Sequence, residues 1–99
     1  MWSEAIELGN LVETIEYGEP IQSMVWREVF ANKKSVRQSE FYQAANVGLK
    51  PEIIFEVHSF EFSNDEKVRY KGKEYSIIRA YEKGEITELT VTSYTGSEV

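Results

Sequence analysis

The stretch KVRYKGKEYSIIRAYEKGEITELTVTSY, residues 67–94, decides the fold class of this 99-residue chain. Its apolar and β-branched residues come in short runs, which are interrupted at Lys71-Gly72 and Lys83-Gly84. Runs of this kind separated by a Lys-Gly pair indicate two or three strands joined by tight turns. Strands that recur every 8 to 12 residues or so are typical of a small antiparallel β-barrel or β-sandwich.

The preceding part of the chain adds further strands, for a total of about six. SMVWREVFA, residues 23–31, is rich in Val, Trp and Phe and predicts a strand, as does the segment around residues 5–8. EIIFEVHSFEF, residues 52–62, predicts another strand, with a bend or bulge near His58 where the alternation of aromatic residues changes phase. Glycines and a proline predict a long loop over residues 9–22.

One short α-helix is predicted at about residues 37–47. Ser35 and Gln38 have the spacing of a capping box, and Phe41 shares one helical face with two alanines, Ala44 and Ala45. Gly48 is a suitable residue just beyond the helix end. A helix this short is not stable alone, so we expect it to pack against the sheet.

The size and composition suit one domain over residues 1–99, with residues 1–4 and 95–99 frayed. The chain is 41% hydrophobic and 13% aromatic, which is enough for a packed core, and it contains no cysteine. No segment has the roughly 20 consecutive apolar residues that span a bilayer. The opening MWSEAIELGN lacks the pattern of a signal peptide, so we expect synthesis in the cytoplasm and no membrane partner.

The charge is −6 and unevenly distributed. Residues 1–26 contain five glutamates and no Lys or Arg, whereas residues 27–37 contain four cations and a single glutamate. The net charge argues against general affinity for nucleic acid, which depends on cationic contacts with phosphate. Patches of opposite sign suit contacts between neighbouring molecules, although they are also common on simple solvated faces.

Nothing in the sequence predicts catalysis, a cofactor or a metal site. His58 is the only histidine, and with no cysteine the chain has no metal-ligand spacing. No serine lies in a Gly-x-Ser-x-Gly elbow, and the pair Glu56 and Glu61 is typical of a solvated sheet face. We therefore expect a protein that is not an enzyme.

Three motifs in a fixed order give the chain a resemblance to a known family. They are VWREVFANKKSV, the segment SEFYQA leading to GLKPE, and VRYKGKEYSIIR, within residues 24–91. Together they resemble the head-closure proteins of long-tailed phages and prophages of Gram-positive bacteria, also called head–tail joining or stopper proteins. The resemblance implies a small β-barrel with a short helix. It also implies a ring, usually of about twelve copies, that seals the DNA-filled head beneath the portal–adaptor complex and receives the tail.

This resemblance leads to hypotheses about contacts and location. A basic strip would contact the next copy in the ring or the adaptor; it consists of Arg27, Lys33, Lys34 and Arg37. Glutamates of the predicted loop would face the channel and repel DNA; they are Glu13, Glu16 and Glu19. The protein would be in the virion at the head–tail interface, and in the host cytoplasm, monomeric or not, before assembly. The alternatives are a mostly helical adaptor, a tail terminator, or a small nucleic-acid-binding barrel.

Overall fold

The structure, a computed structural model, describes residues 2–36 and 50–93. These residues form six strands and one 3₁₀ turn. In chain order they are β1 Glu4–Glu16, β2 Glu19–Lys34, β3 Ile53–His58, the turn Ser59–Glu61, β4 Lys67–Tyr70, β5 Lys73–Lys83 and β6 Ile86–Thr92. The predicted helix at about 37–47 and the tail 95–99 lie outside the described residues.

Every strand pairing is antiparallel, and the sheet closes on itself. The strand order is β1-β2-β3-β6-β5-β4, and β4 pairs with β1 to complete a barrel. The prediction of a mainly β fold with about six antiparallel strands is confirmed, and of the two architectures considered the chain adopts the barrel.

The closing seam is short. β1 pairs with β4 only at Glu7–Arg69, Leu8–Val68 and Gly9–Lys67. β2 likewise pairs with β3 over only three residues, Asn32 to Lys34. Because β1 and β2 are 13 and 16 residues long, most of their length lies beyond the part that the other strands can cover.

The barrel interior is filled by alternate residues of all six strands. Phe55 is fully buried, and its ring packs edge-on against the ring of Tyr70 at 5.1 Å between centroids. Each large apolar side chain buried in this way contributes about 1.5–3 kcal/mol. The core residues are Ile6, Leu8, Val29, Ala31, Phe55, Val57, Val68, Tyr70, Tyr75, Leu89 and Val91.

The predicted turn at Lys71-Gly72 is confirmed, and the one predicted at Lys83-Gly84 falls one residue later, at Gly84-Glu85, because Lys83 is the last residue of β5. Lys71 and Gly72 both have positive φ, at 52° and 79°, as a two-residue type I′ hairpin turn requires. Tyr17 and Gly18 form a second turn of this kind, with φ of 52° and 80°, between β1 and β2.

The prediction of a long loop over residues 9–22 is wrong. These residues complete β1, turn at Tyr17-Gly18 and begin β2. Gly9 does not break its strand, because the Trp26 ring lies where a side chain would otherwise be. Pro20 adjoins the turn and pairs with Ile15. No other described strand pairs with β2 at this point, so the missing N–H of Pro20 removes no hydrogen bond to a neighbouring strand on that side.

Two smaller expectations also need correction. Within the end that was predicted to be frayed, two residues make contacts: the Trp2 ring lies 4.1 Å from the His58 ring, and Glu4, the first residue of β1, accepts a 2.8 Å hydrogen bond from the Tyr70 hydroxyl. The phase change near His58 is not a bulge within a strand. β3 ends at His58, and Ser59 begins the 3₁₀ turn, anchored by a 2.9 Å bond from its hydroxyl to the Gly84 carbonyl.

Replacing Gly9 with alanine tests the packing of Trp26. The new Cβ would lie 2.7 Å from the Trp26 ring, so the ring must move. We expect Gly9→Ala to lower the free energy of unfolding by about 1–3 kcal/mol, measured by urea denaturation. In a Trp26→Ala background the same change should cost far less. An equal cost in both backgrounds would contradict the account.

Candidate interaction site

The β1–β2 hairpin continues past the closing seam as a projecting arm, residues 10–25. In the arm, β1 pairs with β2 and, among the described residues, with no other strand. Seven residues from Asn10 to Glu16 give it a reach of about 20 Å. A two-stranded ribbon with no covering layer is at best marginally stable by itself.

Both faces of the arm carry exposed apolar side chains. Ile21 and Val25 lie on the face that continues the barrel interior, and they are 41% and 49% exposed. Leu11 and Ile15 lie on the opposite face, with Ile15 68% exposed. Four exposed apolar side chains on one projecting hairpin favour a protein contact site.

The three predicted channel-facing glutamates all lie in the arm. Glu16 and Glu19 are directly opposite each other across the turn, and Glu13 lies on the other face. All three are exposed. The structure therefore groups them at the tip, on a strand hairpin rather than a loop, and their orientation toward a channel remains a prediction.

Arg27 fixes the base of the arm from the inside of the barrel. Its two terminal nitrogens donate to the Asp65 carboxylate at 2.9 and 2.8 Å, and it also donates to the Glu61 carbonyl. The Asp65 side chain is fully buried and accepts a further bond from the Ser63 backbone N–H. The hydrogen bond to Asp65 raises the pKa of Arg27, so this cation is engaged within the chain.

A stack of side chains fixes the arm base from the outside. The Arg69 guanidinium lies 4.1 Å from the centroid of the Trp26 ring, and its Nε donates to Glu7 at 2.7 Å. The hydrogen bond from Arg69 lowers the pKa of Glu7. The Glu66 backbone N–H also donates to the Gly9 carbonyl at 2.9 Å. With both faces held, the direction of the arm is set by the barrel.

Lys34 is also held within the chain. Its ammonium contacts Glu56 and Glu88, each at 3.2 Å, and Lys83 approaches Glu88 at 3.5 Å. Hydrogen bonds to Glu88 and then Glu56 raise the pKa of Lys34. This cluster links β2, β3 and β6 across the outer surface of the barrel.

Lys33 lies elsewhere, at the end of the barrel opposite the arm. Its ammonium is 5.5 Å from the centroid of the Tyr70 ring, and that of Lys71 is 5.3 Å from the same centroid. Lys73 lies 5.5 Å from the neighbouring Tyr75 ring. We call the three exposed lysines, Lys33, Lys71 and Lys73, the lysine mouth.

The predicted basic strip is therefore not a single patch. Arg27 is at the arm base, Lys34 is on the outer surface, Lys33 is at the mouth, and Arg37 lies outside the described residues. Sequence reasoning missed Lys71 and Lys73, because only the pairing of β4 and β5 within the closed barrel brings them near Lys33.

A second apolar surface, the aromatic groove, lies beside β3. Phe60 and Phe30 are its most exposed members, at 83% and 58%. His58 stacks between Trp2 and Phe60, with its ring centroid 4.1 and 5.4 Å from theirs. These four aromatic side chains and Glu61 line an open depression. The only histidine thus has aromatic rings as its neighbours.

Within residues 2–36 and 50–93, no group of His, Asp and Glu is arranged to hold a metal ion. In the same part of the chain, no helix has the length and apolar character needed to cross a bilayer. No known protein family matches this sequence, and no curated protein matches it. The arm, the lysine mouth and the aromatic groove are three distinct exposed surfaces of the described chain.

Arg27 and Lys33 should differ sharply in their effect on stability. Arg27→Gln leaves a buried carboxylate without its cation and should lower the free energy of unfolding by about 2 kcal/mol. Lys33→Gln, at an exposed position, should change it by less than about 0.5 kcal/mol. Urea denaturation measures both. A neutral Arg27→Gln would mean that the Asp65 contact does not anchor the arm.

The ion pair of Glu7 and Arg69 should make stability depend on pH in the acid range. Since the pKa of Glu7 is lowered in the folded chain, its contribution is present above the unfolded pKa and is lost as pH falls through the folded pKa. The unfolding midpoint of the wild type should therefore exceed that of Glu7→Gln at pH 7, and the two should converge as the pH falls through the folded pKa of Glu7. Arg69→Gln should remove the same dependence, and a constant gap would contradict the assignment.

Proposed function

We propose that this chain is a structural connector of a tailed phage or prophage, which forms a ring that closes the DNA-filled head and joins it to the tail. The observation that carries the proposal is the arm: a fixed hairpin with apolar side chains exposed on both faces, attached to a self-contained barrel.

The contrast between a self-contained barrel and an uncovered arm supports a role in assembly. The barrel is closed, and Arg27 and Asp65 at its arm end are bonded to each other within the chain. The arm, in contrast, gains stability only when another surface covers it. A molecule built in this way works by contact with neighbours, which is what the resemblance to head-closure proteins implies.

A ring suits the position of these surfaces. The arm and the lysine mouth are different surfaces at opposite ends of the barrel, so a contact between them is head-to-tail. Such a contact forms a ring when its rotation closes. Repetition around the ring lets each contact be weak while the closed assembly persists. The aromatic groove is then available to a different neighbour, the portal–adaptor complex or the tail-completion protein.

The alternatives fit less well. A mostly helical adaptor disagrees with the mainly β structure. A nucleic-acid-binding barrel disagrees with the net charge of −6, and with Arg27 and Lys34 being engaged by carboxylates. A tail terminator is also a small ring-forming protein. The two functions are distinguished by which incomplete particle accumulates when the protein is absent.

Deleting the gene in its phage or prophage tests the function. We expect DNA-filled heads that leak and do not join tails, seen by electron microscopy, because the exit is left unsealed. Normal heads with aberrant tails would instead indicate a tail terminator. Tailed, infectious particles in its absence would overturn the proposal.

An armless variant tests the observation behind it. Replacing residues 11–24 with Asn-Gly joins Asn10 to Val25 through a two-residue turn and keeps the core strands. It should fold, as shown by circular dichroism, yet fail to restore joining in the deletion strain. The control Glu82→Gln, on exposed β5, should restore it. A folded armless protein that restores joining would contradict a role for the arm.

A further inference from the structure

We infer that the arm tip of one copy docks on the lysine mouth of the next copy. The partner is thus a second copy of this chain, recognised by charge and by an aromatic side chain. That such contacts close into a ring rests on the proposed function. The contact between two copies can be tested separately.

The arm tip has unbalanced negative charge. Glu16 and Glu19 face each other across two paired strands, at a separation of about 5 Å between Cβ atoms. Like charges placed directly opposite are destabilising, and residues 1–26 contain no Lys or Arg to offset them. Glu13 adds a third carboxylate on the opposite face. The tip is therefore a surface that a cationic partner would stabilise.

The lysine mouth brings three exposed cations together at the other end of the barrel. Lys33 and Lys71 both lie within 5.5 Å of the centroid of one Tyr70 ring, and Lys73 lies over the adjacent Tyr75. Within residues 2–36 and 50–93 none of the three lysines forms a salt bridge. Two carboxylates lie nearby: Glu4 accepts a hydrogen bond from Tyr70, and Glu52, which is bonded to Ser93, is close enough for the charge of Lys73 to help lower its pKa. Two exposed clusters of opposite sign thus lie at opposite ends of the molecule, where each can meet the other on a neighbouring copy.

The backbone conformation at both clusters also supports a contact between them. Tyr17 and Lys71 each occupy the first position of a type I′ turn at φ 52°, where asparagine, aspartate or glycine is preferred. The Tyr17 side chain is fully exposed, so it contributes no packing to its own chain. A bulky residue kept at an unfavourable backbone position, with no internal contact, indicates an external one. Tyr17 supplies an aromatic face to which the mouth lysines can bind.

The positions of the two clusters fix the geometry of the contact. The arm leaves the barrel beyond Gly9 and Arg27, whereas Lys33 and Tyr70 lie at the other end of the same strands. Because tip and mouth cannot meet within one copy, the contact is between copies and leaves a free tip and a free mouth at the two ends of any open chain.

Charge exchange between two variants tests the contact. One variant carries Glu16→Lys and Glu19→Lys, and the other carries Lys33→Glu and Lys71→Glu. At low ionic strength and high protein concentration, sedimentation should show association for the wild type, at least about tenfold weaker association for each variant alone, and recovery in their mixture. The recovery is expected because each variant then supplies the charge that the other lacks.

Matched controls make the result specific. Glu82→Lys with Glu85→Lys, at the exposed β5–β6 turn, changes the net charge by the same amount as the variant of Glu16 and Glu19 and should leave association unchanged. Tyr17→Asn should raise the thermal unfolding midpoint, since it relieves the turn, and weaken association. A mixture of charge variants that stays dissociated, or a Glu82 and Glu85 control that is equally weakened, would overturn the inference.

Disulfide trapping extends the test to weak association. The chain has no cysteine, so in a mixture of Tyr17→Cys and Lys71→Cys every disulfide joins introduced thiols, and peptide mapping distinguishes the mixed pair from the two homodimers. The mixed pair should form at least about tenfold faster than the pair of Tyr17→Cys with Glu82→Cys. Equal rates would overturn the contact even if the protein closes heads. Faster trapping in a protein that does not close heads would keep the contact and remove the proposed function.

Discussion

The three-residue seam between β1 and β4 is the constraint on which the rest of the structure depends. A closed barrel is no taller than its shortest strand allows, and β4 has four residues. β1 and β2 exceed that height severalfold, and β1 is paired with β2 along its whole length. The excess has to leave the barrel as a hairpin. The arm is therefore a direct result of unequal strand lengths around one closed sheet.

Closure of the barrel places some cations beside carboxylates and leaves others exposed. Arg27 and Lys34 meet carboxylates that come from distant parts of the chain, and they stabilise the barrel. Lys33, one residue before Lys34, points to the other side of its strand and remains exposed beside Lys71. Strand alternation thus gives adjacent lysines different roles: one links strands of the barrel, and the other is available at its mouth. In the proposed connector, that second group is what the next copy meets.

The fold class follows from local features, whereas the candidate site does not. Lys-Gly pairs and β-branched runs indicate turns and strands because the backbone preferences concerned act within a few residues. Gly9 and Pro20 led to the wrong prediction of a loop. Gly9 is accommodated in a strand because the Trp26 ring lies over it, and Pro20 because it lies at a strand edge. The lysine mouth joins residues nearly 40 positions apart. The distribution of charge along the sequence grouped Lys33 with Arg27, but in the barrel the two residues lie at opposite ends.

The seam also has a consequence for how quickly the chain folds. It joins residues about 60 positions apart, so Glu7 waits for Arg69 to be synthesised before the barrel closes. Contacts so distant in sequence slow folding, typically to milliseconds or seconds for small β-barrels. Until then the hairpin of β1 and β2 is the only long pairing that the first third of the chain can make. During translation the apolar arm is therefore exposed before the barrel exists, when a chaperone or another nascent copy is the surface nearest to it.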